Sequence, residues 1–211
     1  MNGIEKQMTA LGYVQAGGAS SRFGQDKALV RLGGQTMIER TCALLHEATG
    51  NATIVMGAVR YEFSTVRQIA DRWPGEGPLG GIITALEDAG GLPGQVEWAL
   101  IVSCDMPFLT AAWLEHMVEL AEKSDAAAIV PRSVSGLEPL CACWRIVSAG
   151  QLRAAFEEGV RKIGEALRRV RMEVLDESEW KRFDTAGRLF WNMNTPADFE
   201  EIRKVWDAEK S

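Results

Sequence analysis

The densest group of chemically useful residues is the run Gln15-Ala16-Gly17-Gly18-Ala19-Ser20-Ser21-Arg22-Phe23-Gly24-Gln25-Asp26-Lys27-Ala28-Leu29. Paired glycines directly after an apolar segment let the main chain approach a ligand closely, and the small residues that follow keep the loop thin. Arg22 and Lys27 bring fixed positive charge to the same loop. Together these groups suit a triphosphate, whose oxygens accept from backbone N–H groups while the cations offset its charge. The spacing excludes two common phosphate binders. The run has neither the G-x-x-x-x-G-K-[ST] pattern of a P-loop nor the G-x-G-x-x-G of a dinucleotide site. A glycine pair alone reads as a turn; the constellation points to an anionic ligand.

Acidic residues form a second set. Asp71 ends Ile69-Ala70-Asp71, and Asp105 follows the apolar run Ala99-Leu100-Ile101-Val102-Ser103-Cys104. In open parallel sheets ligands collect at the carboxyl ends of strands, where both would stand. Met106-Pro107 after Asp105 restricts the chain to an extended or turn shape. A carboxylate there can hold Mg²⁺, which bridges phosphate oxygens and keeps room for water; a lone Asp after a strand reads more readily as a turn or cap, and its position downstream of the glycine loop favours the metal. Gly77-Pro78-Leu79-Gly80-Gly81 by itself reads as a helix start. His46 and His116 fall on predicted helices away from strand ends and receive no acid–base role. Cys141 and Cys143 alternate on one face of a predicted strand and read as core filler rather than metal ligands.

These residues need a scaffold that brings strand ends together. Apolar segments alternate with amphipathic ones, the pattern of an α/β, Rossmann-like layered fold with a mainly parallel sheet flanked by helices. Strands are predicted at Gly12–Ala16, Ala52–Met56, Val66–Ala70, Trp98–Ser103, Ala126–Val130 and Leu140–Trp144. Thr36 and Glu39 form a capping box ahead of Ile38, Cys42 and Leu45. Further helices are expected from Leu79 to Asp88, closed by Gly90–Gly94, and from Thr110 through Ala121. A second capping box, Ser148 with Gln151, opens a helix through Phe156 that stops at Gly159. Thr195-Pro196-Ala197-Asp198 starts the last helix, which runs to about Asp207. The 211 residues carry no internal repeat or low-complexity linker, so a single domain, 1–211, is expected.

Composition narrows the function classes. With 46% hydrophobic and 25% charged residues, disorder is excluded as the main description. A net charge of −6 opposes undirected binding to nucleic acid, so any anion must be held by local geometry. Four cysteines without regular spacing imply no disulfide scaffold and a reducing, cytoplasmic setting. Neither a secretory signal nor a run of roughly 18 apolar residues is present, so no membrane association is expected.

The glycine-rich run resembles the L-A-G-G-x-S-x-R-M-G-x-D-K motif of nucleotidyltransferases, and within them the molybdenum cofactor guanylyltransferases, at Ala16-Gly17-Gly18, Ser20, Arg22, Gly24, Asp26 and Lys27. Gln15 stands where that family has Leu, Phe23 where it has Met, and Gly57 where an asparagine is usual. Ser103-Cys104-Asp105-Met106-Pro107 is similar to its C-D-x-P stretch, and Gly77-Pro78-Leu79-Gly80-Gly81 to its G-P-L-A-G segment. Trp191-Asn192-Met193-Asn194-Thr195-Pro196 is similar to V-N-V-N-T-P, while Glu138-Pro139-Leu140 has Glu where His often precedes the proline. The resemblance implies a nucleotide-diphospho-sugar transferase-like fold and transfer of GMP from GTP to molybdopterin or its molybdenum-loaded form. It implies nucleotide contacts from Gln15, Ala16, Gly17, Gly18, Lys27, Asp71, Pro78, Leu79, Gly80 and Asp105. Arg22, Lys27 and Asp105 are implied as catalytic, Asp105 as the Mg²⁺ ligand, and Asn192 and Asn194 as acceptor contacts. Residues 12–109 would then bind nucleotide and 110–205 the acceptor, with cofactor-synthesis proteins or client molybdoenzymes as further partners. A cytidylyltransferase on the same cofactor, a sugar-phosphate nucleotidyltransferase and a non-catalytic pterin-delivery module remain open as alternatives.

Overall fold

In a computed structural model that describes residues 10–16, 26–57 and 65–209, the apolar run Ala10–Ala16 forms strand β1. A short hairpin, Arg31–Leu32 (β2) and Gln35–Thr36 (β3), leads into Met37–Thr49 (α1), Thr53–Met56 (β4), Arg67–Ala70 (β5) and Pro78–Gly91 (α2). Trp98–Ser103 (β6), Ala111–Glu122 (α3), Ala128–Ser133 (β7), Gly136–Leu137 (β8), Cys141–Arg145 (β9) and Ala149–Glu157 (α4) follow. Ile163–Ala166 (α5), Met172–Leu175 (β10), Glu177–Trp180 (α6) and Pro196–Glu209 (α7) come last.

The main sheet has the order β10-β7-β9-β6-β1-β4-β5. Along this order the pairs are parallel except at β9, which runs antiparallel to both β6 and β7, and the short β8 pairs antiparallel with β7 off the path. The exception has a topological cause: β7 and β9 are joined through the short β8 ribbon, with no crossover helix to return the chain in the same direction. The mainly parallel α/β architecture expected from the apolar alternation is therefore present.

Period-two burial separates two cores. On one face Leu100 and Val102 of β6 meet Ile38, Cys42 and Leu45 of α1 and Trp113 and Met117 of α3. On the other, Ala99 and Ile101 meet Leu79, Ile83 and Leu86 of α2 and Leu152 and Phe156 of α4. A strand covered on both faces has no polar positions, which is why Trp98–Ser103 reads as a continuous apolar run. A third, smaller core of Val30, Leu32, Met37, Met193, Ile202 and Trp206 docks α7 against the β2–β3 hairpin, with Phe108 and Trp191 packed onto it. Among the described residues no helix is long and apolar enough to cross a membrane.

The caps mostly follow the local pattern. Thr36 Oγ1 accepts from Glu39 N–H at 3.3 Å while Thr36 N–H donates to Glu39 Oε2 at 2.8 Å, and Gly50 ends α1 at φ 76°. Thr110 Oγ1 accepts from Trp113 N–H at 3.3 Å at the start of α3. Ser148 departs from expectation: its Oγ donates back to Arg145 O at 2.7 Å and it caps nothing. Residues Ile146–Ser148 already form a 3₁₀ turn continuous with α4, so no exposed helix start exists there to be capped.

Candidate active site

The parallel strands β1, β4, β5 and β6 end on one edge of the sheet, and the conspicuous polar residues follow those ends. Beyond β6, Cys104 N–H donates to Gln15 O at 3.4 Å and Met193 N–H donates to Asp105 O at 2.8 Å. Asp105 is thus held between the end of β1 and the segment before α7. Its Oδ2 lies 4.0 Å from Lys27 Nζ, both side chains being about one-fifth exposed. Lys27 Nζ in turn donates to Asn194 Oδ1 at 2.9 Å, joining segments 167 residues apart. Asp26 holds the turn that presents Lys27, its Oδ1 accepting from Ala28 N–H at 3.0 Å.

Asp105 Oδ1 is buried and has no hydrogen-bond partner among the described residues. Leaving a charged acceptor buried and unpaired costs on the order of 1–3 kcal/mol or more, so this oxygen fits a hard cation. The described residues contain no group of three or more His, Cys, Asp or Glu side chains that could enclose a metal. Such an ion would take most of its shell from phosphate oxygens and water, as Mg²⁺ characteristically does.

A second cluster forms around the start of α2. Gln15 Nε2 donates to Pro78 O at 2.9 Å, and a Cβ on Gly81 would stand 2.4 Å from that nitrogen, which explains the glycine. Ala16 O accepts from Gly57 N–H at 3.0 Å. Asp71 Oδ1 accepts from Trp73 N–H at 3.0 Å and Thr84 Oγ1 at 3.1 Å, organising the turn before α2. Gly77, at φ 95°, precedes α2 without a side-chain cap. Leu79 is wholly buried and Pro78 lacks an N–H, so this helix start presents main chain rather than side chains, and the groups a helix N-terminus leaves free are N–H donors. Asp71 follows β5 and Asp105 follows β6, three strand positions apart, or about 14 Å at roughly 4.8 Å per strand. The two carboxylates therefore face different parts of any shared ligand.

On the remaining side, Asn194 N–H and Thr195 N–H both donate to Asp198 Oδ2, at 2.8 and 2.7 Å, while Asp198 N–H donates to Thr195 Oγ1 at 3.2 Å. This cap holds Asn194 toward Lys27. Asn192 Nδ2 donates to Phe190 O at 3.1 Å, shaping its own turn. Glu138 is turned inward: it is 8% exposed and its Oε1 accepts from Ser133 Oγ at 2.5 Å. Burial, then the negative charge of Asp105, raises its carboxyl above the usual range. Gly17, Gly18 and Arg22 lie outside the described residues. The sequence did not single out Thr84 or Met193, because their contacts to Asp71 and Asp105 are made across distant segments and leave no local signal.

A family model described as the MobA-like NTP transferase domain matches residues 12–171. A Pelotomaculum thermopropionicum protein named "Probable molybdenum cofactor guanylyltransferase" is 34% identical over 209 residues, covering 97% of this chain and 96% of its own. One of the same name from Chloroflexus aggregans is 31% identical, covering 93% and 94%. The crystal structure of molybdopterin-guanine dinucleotide biosynthesis protein A from Archaeoglobus fulgidus superposes with a TM-score of 0.76 at 27% identity, covering 93% of this chain and 98% of that one.

Proposed function

The chain belongs to the MobA-like NTP transferase family, and on that premise we propose that it transfers GMP from GTP to the terminal phosphate of molybdopterin or its molybdenum-bearing form. The observation that carries this reading is the meeting of Lys27, Asp105 and Asn194. One comes from the end of the glycine-rich loop, one from the central strand, and one from the segment that resembles an acceptor site.

In this reaction an ionised oxygen of the acceptor phosphate bonds to the α-phosphorus of GTP. The bond from that phosphorus to the α,β-bridging oxygen breaks, and its electron pair leaves with pyrophosphate. The nucleophile needs no deprotonation and no covalent enzyme intermediate forms, so catalysis consists of alignment and charge neutralisation. Lys27, with Arg22 of the preceding loop, offsets charge on the phosphates. Because Lys27 occupies Asn194 Oδ1, the Asn194 amide is oriented with its Nδ2 donors available to an anionic acceptor. Asp105 would hold Mg²⁺ through Oδ1, which has no hydrogen-bond partner among the described residues; the ion, when bound, neutralises phosphate charge. Gln15, Ala16, Gly17, Gly18, Asp71 and the Pro78–Gly80 backbone would surround the nucleoside. Since Gln15 Nε2 is committed to Pro78 O, its Oε1 remains as an acceptor matching the N–H groups of a guanine edge.

We read residues 12–109 as the nucleotide-binding part and 110–205 as the acceptor-binding part of one domain, joined at the site by the Lys27–Asn194 bond. The four buried, unpaired cysteines support a reducing cytoplasm as its setting. Cofactor-synthesis proteins and client molybdoenzymes are its expected partners. The deciding experiment incubates the protein with Mg²⁺, molybdopterin and each of GTP, CTP and ATP, followed by product masses. A guanine dinucleotide formed only with GTP is expected, and its loss in Asp105→Asn with the fold retained. A cytosine product, or no product with any nucleotide, would overturn the reading.

A further inference from the structure

Helix α1 supplies none of the candidate site residues, yet one of its side chains reaches the loop that carries Asp105. Arg40 Nε donates to Pro107 O at 2.9 Å and its Nη2 to Leu109 O at 3.4 Å. Its guanidinium lies 4.5 Å from the centroid of the Trp206 ring in α7. Phe108, between the two bonded carbonyls, meets Trp191 at 5.8 Å and Trp206 at 6.0 Å. Within the loop itself, the Leu109 N–H to Met106 O bond is long at 3.5 Å, so the loop takes its position from outside. Trp206 is fixed in turn by the β2–β3 hairpin, where a Cβ on Gly33 would stand 2.6 Å from Trp206 Nε1.

We propose that Arg40 is a positioning residue for the transfer reaction: it pins the 105–109 loop to α1 through two main-chain carbonyls and so holds the Asp105 carboxylate in place against Lys27. Only a planar fork can reach two carbonyls and stack on an indole at once, which an ammonium on a flexible stem does not do. The arrangement also gives α7 a function. Residues 196–209 lie beyond the 12–171 span matched by the family model, and Trp206 keeps the guanidinium on its carbonyls.

This inference rests on the proposed metal role of Asp105, and its test separates the two. Arg40→Met keeps the apolar stem over Trp206 and removes the donors; Arg40→Lys restores one. Kinetics are measured alongside Mn²⁺ affinity in the presence of GTP, read by electron paramagnetic resonance, and thermal unfolding. A displacement of about 1 Å at a reacting centre costs on the order of a hundredfold in rate. Arg40→Met should therefore lose roughly ten- to a hundredfold in kcat, with Mn²⁺ held several-fold more weakly and KM for GTP raised by no more than that same factor. Arg40→Lys should fall between it and the wild type. A lowered melting midpoint with kcat and Mn²⁺ affinity unchanged would overturn the proposal. Should Arg40→Met fail to fold, Arg40→Lys decides by the same two readouts. If the wild type forms no guanine dinucleotide, the functional reading fails, while the Mn²⁺ comparison still decides the role of Arg40.

Discussion

Two carboxylates near the strand ends, Asp105 and Glu138, show how burial assigns different work to the same chemistry. Asp105 keeps one oxygen near Lys27 and the other without a partner among the described residues, as a ligand atom would be. Glu138 is enclosed and bonded to Ser133, and burial, with Asp105 adding to it, pushes its carboxyl upward. A raised folded-state value means that the stabilising contribution is full below the ordinary carboxylate range and is lost as pH rises through the folded value. Glu138→Gln, which can still accept from Ser133, should therefore raise the melting midpoint at pH 8, by about 2–4 °C for each kcal/mol relieved. The gain should vanish near pH 4; calorimetry showing the same shift at both pH values would remove the linkage. Lys27→Ala should weaken GTP binding about ten- to a hundredfold, since a hydrogen bond to a charged group is worth roughly 1.5–3 kcal/mol. Unchanged affinity by titration calorimetry would count against its phosphate contact. The candidacy of Asp105 and Lys27 was legible from residue type and position. The inward turn of Glu138 was not, because it depends on β7 and the β8 ribbon closing over it.

Elements formed where local and tertiary demands agreed. The Thr36–Glu39 box and Thr110 cap real helix starts, whereas the same kind of pattern at Ser148 is overridden by the 3₁₀ turn leading into α4. Strands covered on both faces were legible as apolar runs. The two-residue strands β2, β3 and β8 were not, and neither was β10, whose half-buried Met172–Leu175 includes exposed Glu173. Such segments become strands only by finding a neighbour. The contact of β1 with α2 offers a test at this scale. Gly81→Ala places a Cβ 2.4 Å from Gln15 Nε2, so it should displace the amide from Pro78 O and weaken GTP binding several-fold. In a Gln15→Ala background the alanine has room. The two substitutions should then be non-additive by about 1 kcal/mol in a double-mutant cycle, and strict additivity would show that the amide does not link the two elements.

For the molecule as a whole, a net charge of −6 means that attraction to a triphosphate is made locally rather than by the overall field. Since Asp105 is the single carboxylate assigned to Mg²⁺, the ion depends on the nucleotide's phosphates for its hold, so chelation should leave the nucleotide-free melting midpoint unchanged. It should abolish transfer and the stabilisation by GTP, which linkage puts at about 2.7 kcal/mol at a hundredfold excess over Kd. A midpoint that falls on chelation without nucleotide would instead reveal a structural ion. The linear chain determined the layered α/β class, the glycine-rich loop and the candidates at strand ends, because periodicity and residue type are local properties. Only the tertiary structure decided that Lys27 meets Asn194, that Asp71 stands apart from Asp105, and that Arg40 and Trp206 brace the loop between them. Those relations depend on strand order and on the docking of α7, and residues so far apart in sequence are brought together only when the separate cores have packed.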